Sequence, residues 1–164
     1  MTIFIKNKHT LEIDEFKFRC CIGKKGLTSN KIEGDKKTPK GTFEIGNLYF
    51  RKDRKEKPST LLKCIEIKND MGWCNDSRFP KKYNKLFKIQ KKIKHEKLKR
   101  KDCKYDLLIP IKYNFKRPIT GKGSCIFIHL TKDYEPTAGC IALKEKDFLI
   151  MIKLIKKNTK IKII

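Results

Sequence analysis

The residues with the clearest capacity for chemistry lie between positions 126 and 143. An apolar run, Ile126-Phe127-Ile128, delivers His129, a polar loop runs through Glu135, and Thr137-Ala138-Gly139-Cys140 opens the next apolar run, Ile141-Ala142-Leu143. A thiol is a strong nucleophile as its thiolate, so a catalytic cysteine needs a base or positive surroundings close by. His129 ends a strand-like run, and the loop can fold back to set Cys140 beside it. Gly139 allows a sharp turn that exposes the sulfur and aims the Gly139 and Cys140 N–H groups at a developing oxyanion. The pattern is that of cysteine acyl transfer, with Cys140 as nucleophile and His129 as base. Backbone carbonyls of residues 121–124 and the Thr137 hydroxyl are the candidates for orienting the imidazole. Read singly, a glycine–cysteine turn is also compatible with a buried structural thiol, and a strand-end histidine with a satisfied core residue.

The elements that must position these groups are mostly strands. Thr2 to Ile5, Leu11 to Ile13 and Phe16 to Ile22 read as short strands broken by turn sequences, and Thr42 to Phe50 and Leu61 to Ile67 as further ones. The segments Tyr105 to Ile111 and Cys125 to Leu130 have the composition of buried strands, with Pro110 marking an edge or a strand end. Leu86, Ile89, Ile93 and Leu98 could line one stripe, which predicts a helix or a long ordered loop over Pro80 to Arg100. From Lys144 to Lys157, Phe148, Leu149, Met151, Ile152 and Ile155 recur at helical spacing with lysines on the other face, and Lys160 to Ile164 alternates as a closing strand. The expected fold is mainly β (a β-rich α+β domain), a curved sheet or β-sandwich with one or two covering helices. One domain spans 1–164, since no repeat or linker divides the chain.

Composition narrows the class. The chain carries 42 Lys+Arg against 18 Asp+Glu, a formal charge of +24 that comes mainly from lysine. Such charge favours polyanions, yet arginine, the better bidentate phosphate reader, is scarce. The lysine-rich 81–101 region also offers few stacking aromatics beyond Tyr83 and Phe87, so no specific nucleic-acid partner is expected. Mean hydropathy is −0.60, and no apolar run is long enough to cross a bilayer. The seven cysteines and three histidines show no metal-ligand spacing, the odd cysteine count argues against a complete disulfide framework, and the six cysteines other than Cys140 read as small core residues. No metal or cofactor is expected.

The stretch around His129 and Cys140 resembles the signature of the YkuD-type L,D-transpeptidases, in which a strand-borne histidine precedes a Ser/Thr-x-Gly-Cys element. Gly34-Asp35-Lys36-Lys37-Thr38-Pro39-Lys40-Gly41-Thr42-Phe43 resembles the family's Asp-x-x-Thr-Pro-x-Gly-x-Phe segment. Gly72-Trp73-Cys74-Asn75-Asp76, Tyr105-Asp106-Leu107, Tyr113-Asn114 and the Gly121 to Ser124 turn are similar to features of a compact branch. Two positions depart from the commoner Ser-His-Gly-Cys-x-Arg pattern: Ala138 replaces a second histidine and Ala142 stands where the arginine would be. The resemblance implies a monomeric enzyme of the periplasm or cell envelope acting on peptidoglycan stem peptides through a Cys140 thioester, although Met1 to Lys6 is too short an apolar run for a signal peptide. Thr137, Trp73, Asp76, Arg78, Tyr105, Tyr113 and Asn114 are the expected substrate contacts, and Arg78 or Arg117 the candidate replacement for the missing arginine. With water as acceptor the same site is an L,D-carboxypeptidase. A non-catalytic basic domain that binds cell wall or nucleic acid is the alternative from another class.

Overall fold

Burial alternates along the outer strands and is continuous along the inner ones, and that difference sorts the chain into layers. The computed structural model describes residues 1–164. Its strands begin with β1 (Thr2–Ile5), β2 (Thr10–Ile13), β3 (Phe16–Arg19), the short β4 (Leu27–Thr28) and β5 (Thr38–Pro39), β6 (Gly41–Glu44), β7 (Leu48–Phe50) and β8 (Cys64–Glu66). They continue with β9 (Met71–Cys74), β10 (Leu86–Lys88), β11 (His95–Lys97), β12 (Leu107–Pro110), β13 (Phe127–Leu130) and β14 (Ile141–Leu143). The helix α1 (Glu145–Leu154) and the closing β15 (Lys160–Ile163) follow.

An outer sheet runs β3-β2-β1-β15-β6, in which the two ends of the chain pair in parallel, Ile3 opposite Ile161. Ile3, Ile5, Leu11, Ile13, Ile161 and Ile163 point inward while lysines and glutamates alternate outward, the period-two pattern of a sheet with one wet face. The central sheet runs β14-β13-β12-β7-β8, and all four residues of β12 and of β13 are buried. Both of its faces are therefore covered. One face joins the outer sheet and α1 in a core of 25 residues that takes Leu107, Ile109, Ile128, Leu130, Ile141 and Leu143 from the central strands. Phe148, Met151 and Ile152 supply the helix contribution at i, i+3 and i+4. The opposite face carries Tyr49, Leu108, Phe127 and Cys140 in a smaller cluster of eight, capped by Trp73, Leu98 and Tyr105.

The expected mainly β architecture and the C-terminal helix are present. The helix considered for Pro80 to Arg100 is not: this segment forms β10 and β11, which flank β9 in a three-stranded sheet. Leu86 lies in β10, whereas Ile89, Ile93 and Leu98 lie in the connections outside β10 and β11, so they form no single stripe: Leu98 is fully buried while Leu86 stays exposed. Gly72 leaves room for side chains beside it in the same sheet, since a Cβ there would lie 2.9 Å from the Ile89 side chain and 3.1 Å from the His95 ring. The fold thus has one covering helix. Pro110 ends a central strand, and its carbonyl accepts the Gly46 N–H at 2.7 Å.

Candidate active site

The period-two geometry of β13 places Phe127 and His129 on the face opposite the main core, while Ile128 and Leu130 face into it. The neighbouring strand β14 runs parallel, with Ile128 opposite Ile141 and His129 opposite Ala142. Cys140 immediately precedes that strand and joins the same cluster as Phe127. His129 and Cys140 both line a cavity of about 320 Å³. A larger groove of about 780 Å³, bordered by Tyr49, Trp73, Phe115 and several lysines, contains neither a cysteine nor a histidine and offers no comparable nucleophile–base pair.

The turn before Cys140 is held by side-chain hydroxyls. Thr137 Oγ1 donates to the Cys140 carbonyl at 2.6 Å and accepts the Gly139 N–H at 3.1 Å. The fully buried Thr38 donates to the Gly139 carbonyl at 2.8 Å and accepts the Gly23 N–H at 2.9 Å. Gly139 itself has φ 144°, and a Cβ on it would meet the Lys37 carbonyl oxygen at 2.9 Å, so both conformation and space exclude a side chain. The Thr-Pro segment at 38–39 therefore braces the cysteine turn from across the structure. The Gly139 N–H is engaged by Thr137.

The thiol of Cys140 donates to the Cys125 carbonyl at 3.2 Å and accepts the Phe127 N–H at 3.4 Å. Burial pushes this thiol up to about 12. The Phe127 N–H, Lys31 and Arg100 favour the thiolate, and Glu96 opposes it. Burial likewise presses the His129 imidazole down to about 4, only partly offset by its bond to the Leu130 carbonyl. That bond, 2.8 Å from Nδ1, orients the ring. A carbonyl can only accept, so Nδ1 carries the proton and Nε2 is left unprotonated. This corrects the expected orienters: neither a carbonyl of residues 121–124 nor the Thr137 hydroxyl holds the ring. At neutral pH Cys140 rests as a thiol and His129 as a neutral imidazole.

Tyr105 lies edge-on to His129, with ring centroids 5.3 Å apart, and its hydroxyl donates to Glu96 at 3.1 Å. Arg100 stacks over Tyr105 at 4.9 Å and binds Glu96 and both oxygens of Asp102. Of the predicted substrate contacts, Tyr105 and Thr137 line the cavity, whereas Trp73, Asp76, Arg78, Tyr113 and Asn114 lie outside its wall. Each of these has a structural task there. Trp73 is buried against Phe127 and donates its indole N–H to Asn84. The Asp76 carboxylate, held well below the usual carboxylate range first by the Arg78 guanidinium, binds Arg78 through two of its nitrogens. Arg78 is thus committed to Asp76, and Arg117 is exposed away from the cavity. Tyr113 donates to the Lys122 carbonyl, and Asn114 ties down Ile119 and Gly123.

Sequence reasoning missed several contributors. Lys31, Glu33, Glu96, Arg100 and Lys104 all reach the cavity, yet they sit in lysine- and glutamate-rich stretches that look like solvated surface. The fully shielded Tyr83 donates to Glu33, which also accepts from Ser124 at 2.7 Å. Asn84, buried and with φ 55°, accepts from Trp73 and from the Cys125 N–H and donates to the carbonyls of Tyr113 and Asn114. It fixes the backbone whose carbonyl takes the Cys140 thiol. Cys125, read as a core residue, shares the cavity wall. All seven cysteines are free.

A thiol and an oriented imidazole on one cavity, beside a glycine turn that leaves the thiol's own N–H open, form a layout suited to acyl transfer. The sequence matches the YkuD profile, described as the L,D-transpeptidase catalytic domain, over residues 1–163, and the chain belongs to that family. Curated protein sequences give no match. Among solved structures, the helical cell shape determining protein Pgp2 from Campylobacter jejuni is similar, with a TM-score of 0.52 and 18% identity, over 99% of this chain and 46% of that one. Bd1075 from Bdellovibrio bacteriovorus gives a TM-score of 0.47 and 15% identity over 99% and 47%. The chain thus spans about half the length of either protein. At such identity the likeness concerns the fold.

Proposed function

We propose that this domain is a cysteine-dependent L,D-transpeptidase acting on peptidoglycan stem peptides in the cell envelope, with Cys140 as nucleophile and His129 as base. The observation that carries this reading is that Cys140 and a buried histidine, its Nδ1 held by the Leu130 carbonyl, line one cavity. Nε2 takes the thiol proton as sulfur attacks the carbonyl of a diaminopimelate-type residue in the donor stem. The oxyanion is met by the Cys140 N–H, an interaction typically worth on the order of 3 kcal/mol of barrier lowering. Collapse breaks the C–N bond, His129 returns the proton to the departing amino acid, and a thioester remains on Cys140. An acceptor amine then attacks the thioester, His129 receives its proton, and the thiol is regenerated. Tyr105 and Thr137 form part of the wall against which the stem lies. No cofactor enters these steps.

Water in place of the acceptor amine makes the same site an L,D-carboxypeptidase. Mass spectrometry of defined tripeptide, tetrapeptide and pentapeptide muropeptides incubated with wild type and Cys140→Ala separates the possibilities. Cross-linked dimers formed by wild type alone support transpeptidation. Trimmed stems without dimers assign the carboxypeptidase. Absence of any Cys140-dependent product contradicts the enzymatic reading for these substrates.

A further inference from the structure

We infer that Asn75 is a stem-binding residue of this site, its side-chain carbonyl accepting a hydrogen bond from a non-scissile peptide N–H of the bound stem. The inference rests on the proposed function and adds to it a residue that reads the substrate's backbone. Asn75 lines the cavity that holds Cys140 and His129. Its Oδ1 is the one side-chain nitrogen or oxygen in the chain that is shielded from solvent and has no hydrogen-bond partner. Buried acceptors are almost always satisfied, because leaving one unpaired sacrifices its hydration with no return. Asn75 lines the cavity while its Oδ1 is shielded, so a turn of the amide about its last side-chain bond is what would offer this orphaned acceptor to a group the cavity admits.

The position of Asn75 is built. Its N–H is given to the Lys94 carbonyl at 3.3 Å, and Cys74 just before it donates to Lys85. Asp76 just after it accepts from the Lys94 N–H at 2.9 Å as well as from Arg78. Asp76 and Arg78, whose sequence context suggested ligand contact, hold the loop on which Asn75 stands. The cations that bear on Cys140 are already committed, Lys31 to Asp35 and the Ile32 carbonyl, Arg100 to Asp102 and Glu96. An amide oxygen can only accept, and a peptide stem brings a series of N–H donors. A site built to hydrogen-bond a substrate group rejects analogues that lack it.

The test measures binding of tetrapeptide stems to Cys140→Ala protein by calorimetry, each non-scissile amide being replaced in turn by an ester that lacks the N–H. One ester is expected to bind at least about tenfold more weakly than the parent stem. That penalty should vanish in Cys140→Ala/Asn75→Leu and persist in Cys140→Ala/Asn75→Asp, which keeps an acceptor. Thermal unfolding should show Asn75→Leu at or above the parent midpoint, since it removes an unpaired buried polar atom. Ester penalties that are the same with and without Asn75, or stems that bind to none of these proteins, would overturn the inference. So would an Asn75→Leu protein with a lower midpoint and unchanged stem affinity. Asn75-dependent binding with no turnover by wild type contradicts the enzymatic reading alone, whereas turnover indifferent to Asn75 contradicts this inference alone.

Discussion

The two faces of the central sheet are made from the same strands and do different work. Toward α1 and the outer sheet, Leu107, Ile109, Ile128 and Leu130 enter the larger apolar core of the molecule. On the other face, Leu108, Phe127, His129 and the Cys140 turn meet aromatic rings, a cavity and a web of paired charges. Because strand side chains alternate, each residue of β13 belongs to one side only. The first face holds the larger apolar core, and the second holds the residues proposed to react.

The largest expected effect comes from substituting the reactive face. His129→Gln should lower turnover of stem substrates by at least about 10³-fold while leaving the thermal midpoint at neutral pH nearly unchanged, as steady-state assays and calorimetry would show. Ile128→Ala, one residue away, should do the reverse. It should lose on the order of 2–5 kcal/mol in denaturant titration, with the folded fraction retaining wild-type turnover. Equal damage to both properties by either substitution would break the division between the faces.

A pH experiment sharpens the comparison. His129 is neutral in the fold, with its pKa pressed down to about 4 by burial, whereas an unfolded histidine titrates near 6.5. Between those values the unfolded chain binds the extra proton, so stability is constant above about pH 6.5 and falls as pH drops toward about 4. The histidine's share of this loss is on the order of 3 kcal/mol. Denaturant titrations across this range should show a shallower decline for His129→Gln, and parallel profiles would contradict the buried neutral imidazole.

The smallest predicted effect concerns the brace between the faces. Thr38→Val removes the hydroxyl that links the Gly23 N–H to the Gly139 carbonyl. Leaving these groups unpaired should cost about 1–3 kcal/mol and loosen the cysteine turn. Alkylation of Cys140 by iodoacetamide, read by peptide mapping, should change more than that of Cys20, which lies in the apolar core.

Local patterns were enough to read the strands near both ends of the chain, β12 and β13, and the helix at Glu145–Leu154, because periodicity is a local property; β5, β9, β10 and β11 escaped it. The 80–100 segment was less legible: Ile89, Ile93 and Leu98 satisfy a helical stripe, yet Ile89 lies against Gly72 and Leu98 joins the cluster beneath the central sheet. The site contacts followed the same rule. Trp73, Asp76 and Arg78 stood out by residue type, but Trp73 is engaged by Asn84 and Asp76 and Arg78 by each other. Lys31, Arg100 and Asn84 gained their importance only when strands remote in sequence brought them to the thiol. Asp35-x-x-Thr38-Pro39 was recognisable as a motif, while its purpose, bracing Gly139 from across the chain, emerged only in three dimensions.

The central claim is tested most directly by intact-protein mass spectrometry of wild type, His129→Gln and Cys140→Ala quenched in acid during turnover of a tetrapeptide stem. The account predicts a mass increase equal to the stem less its terminal amino acid in wild type, mapped to Cys140 and released by hydroxylamine. It predicts little or no adduct with His129→Gln and none with Cys140→Ala. An adduct on another residue, or product formation by Cys140→Ala at the wild-type rate, would contradict it.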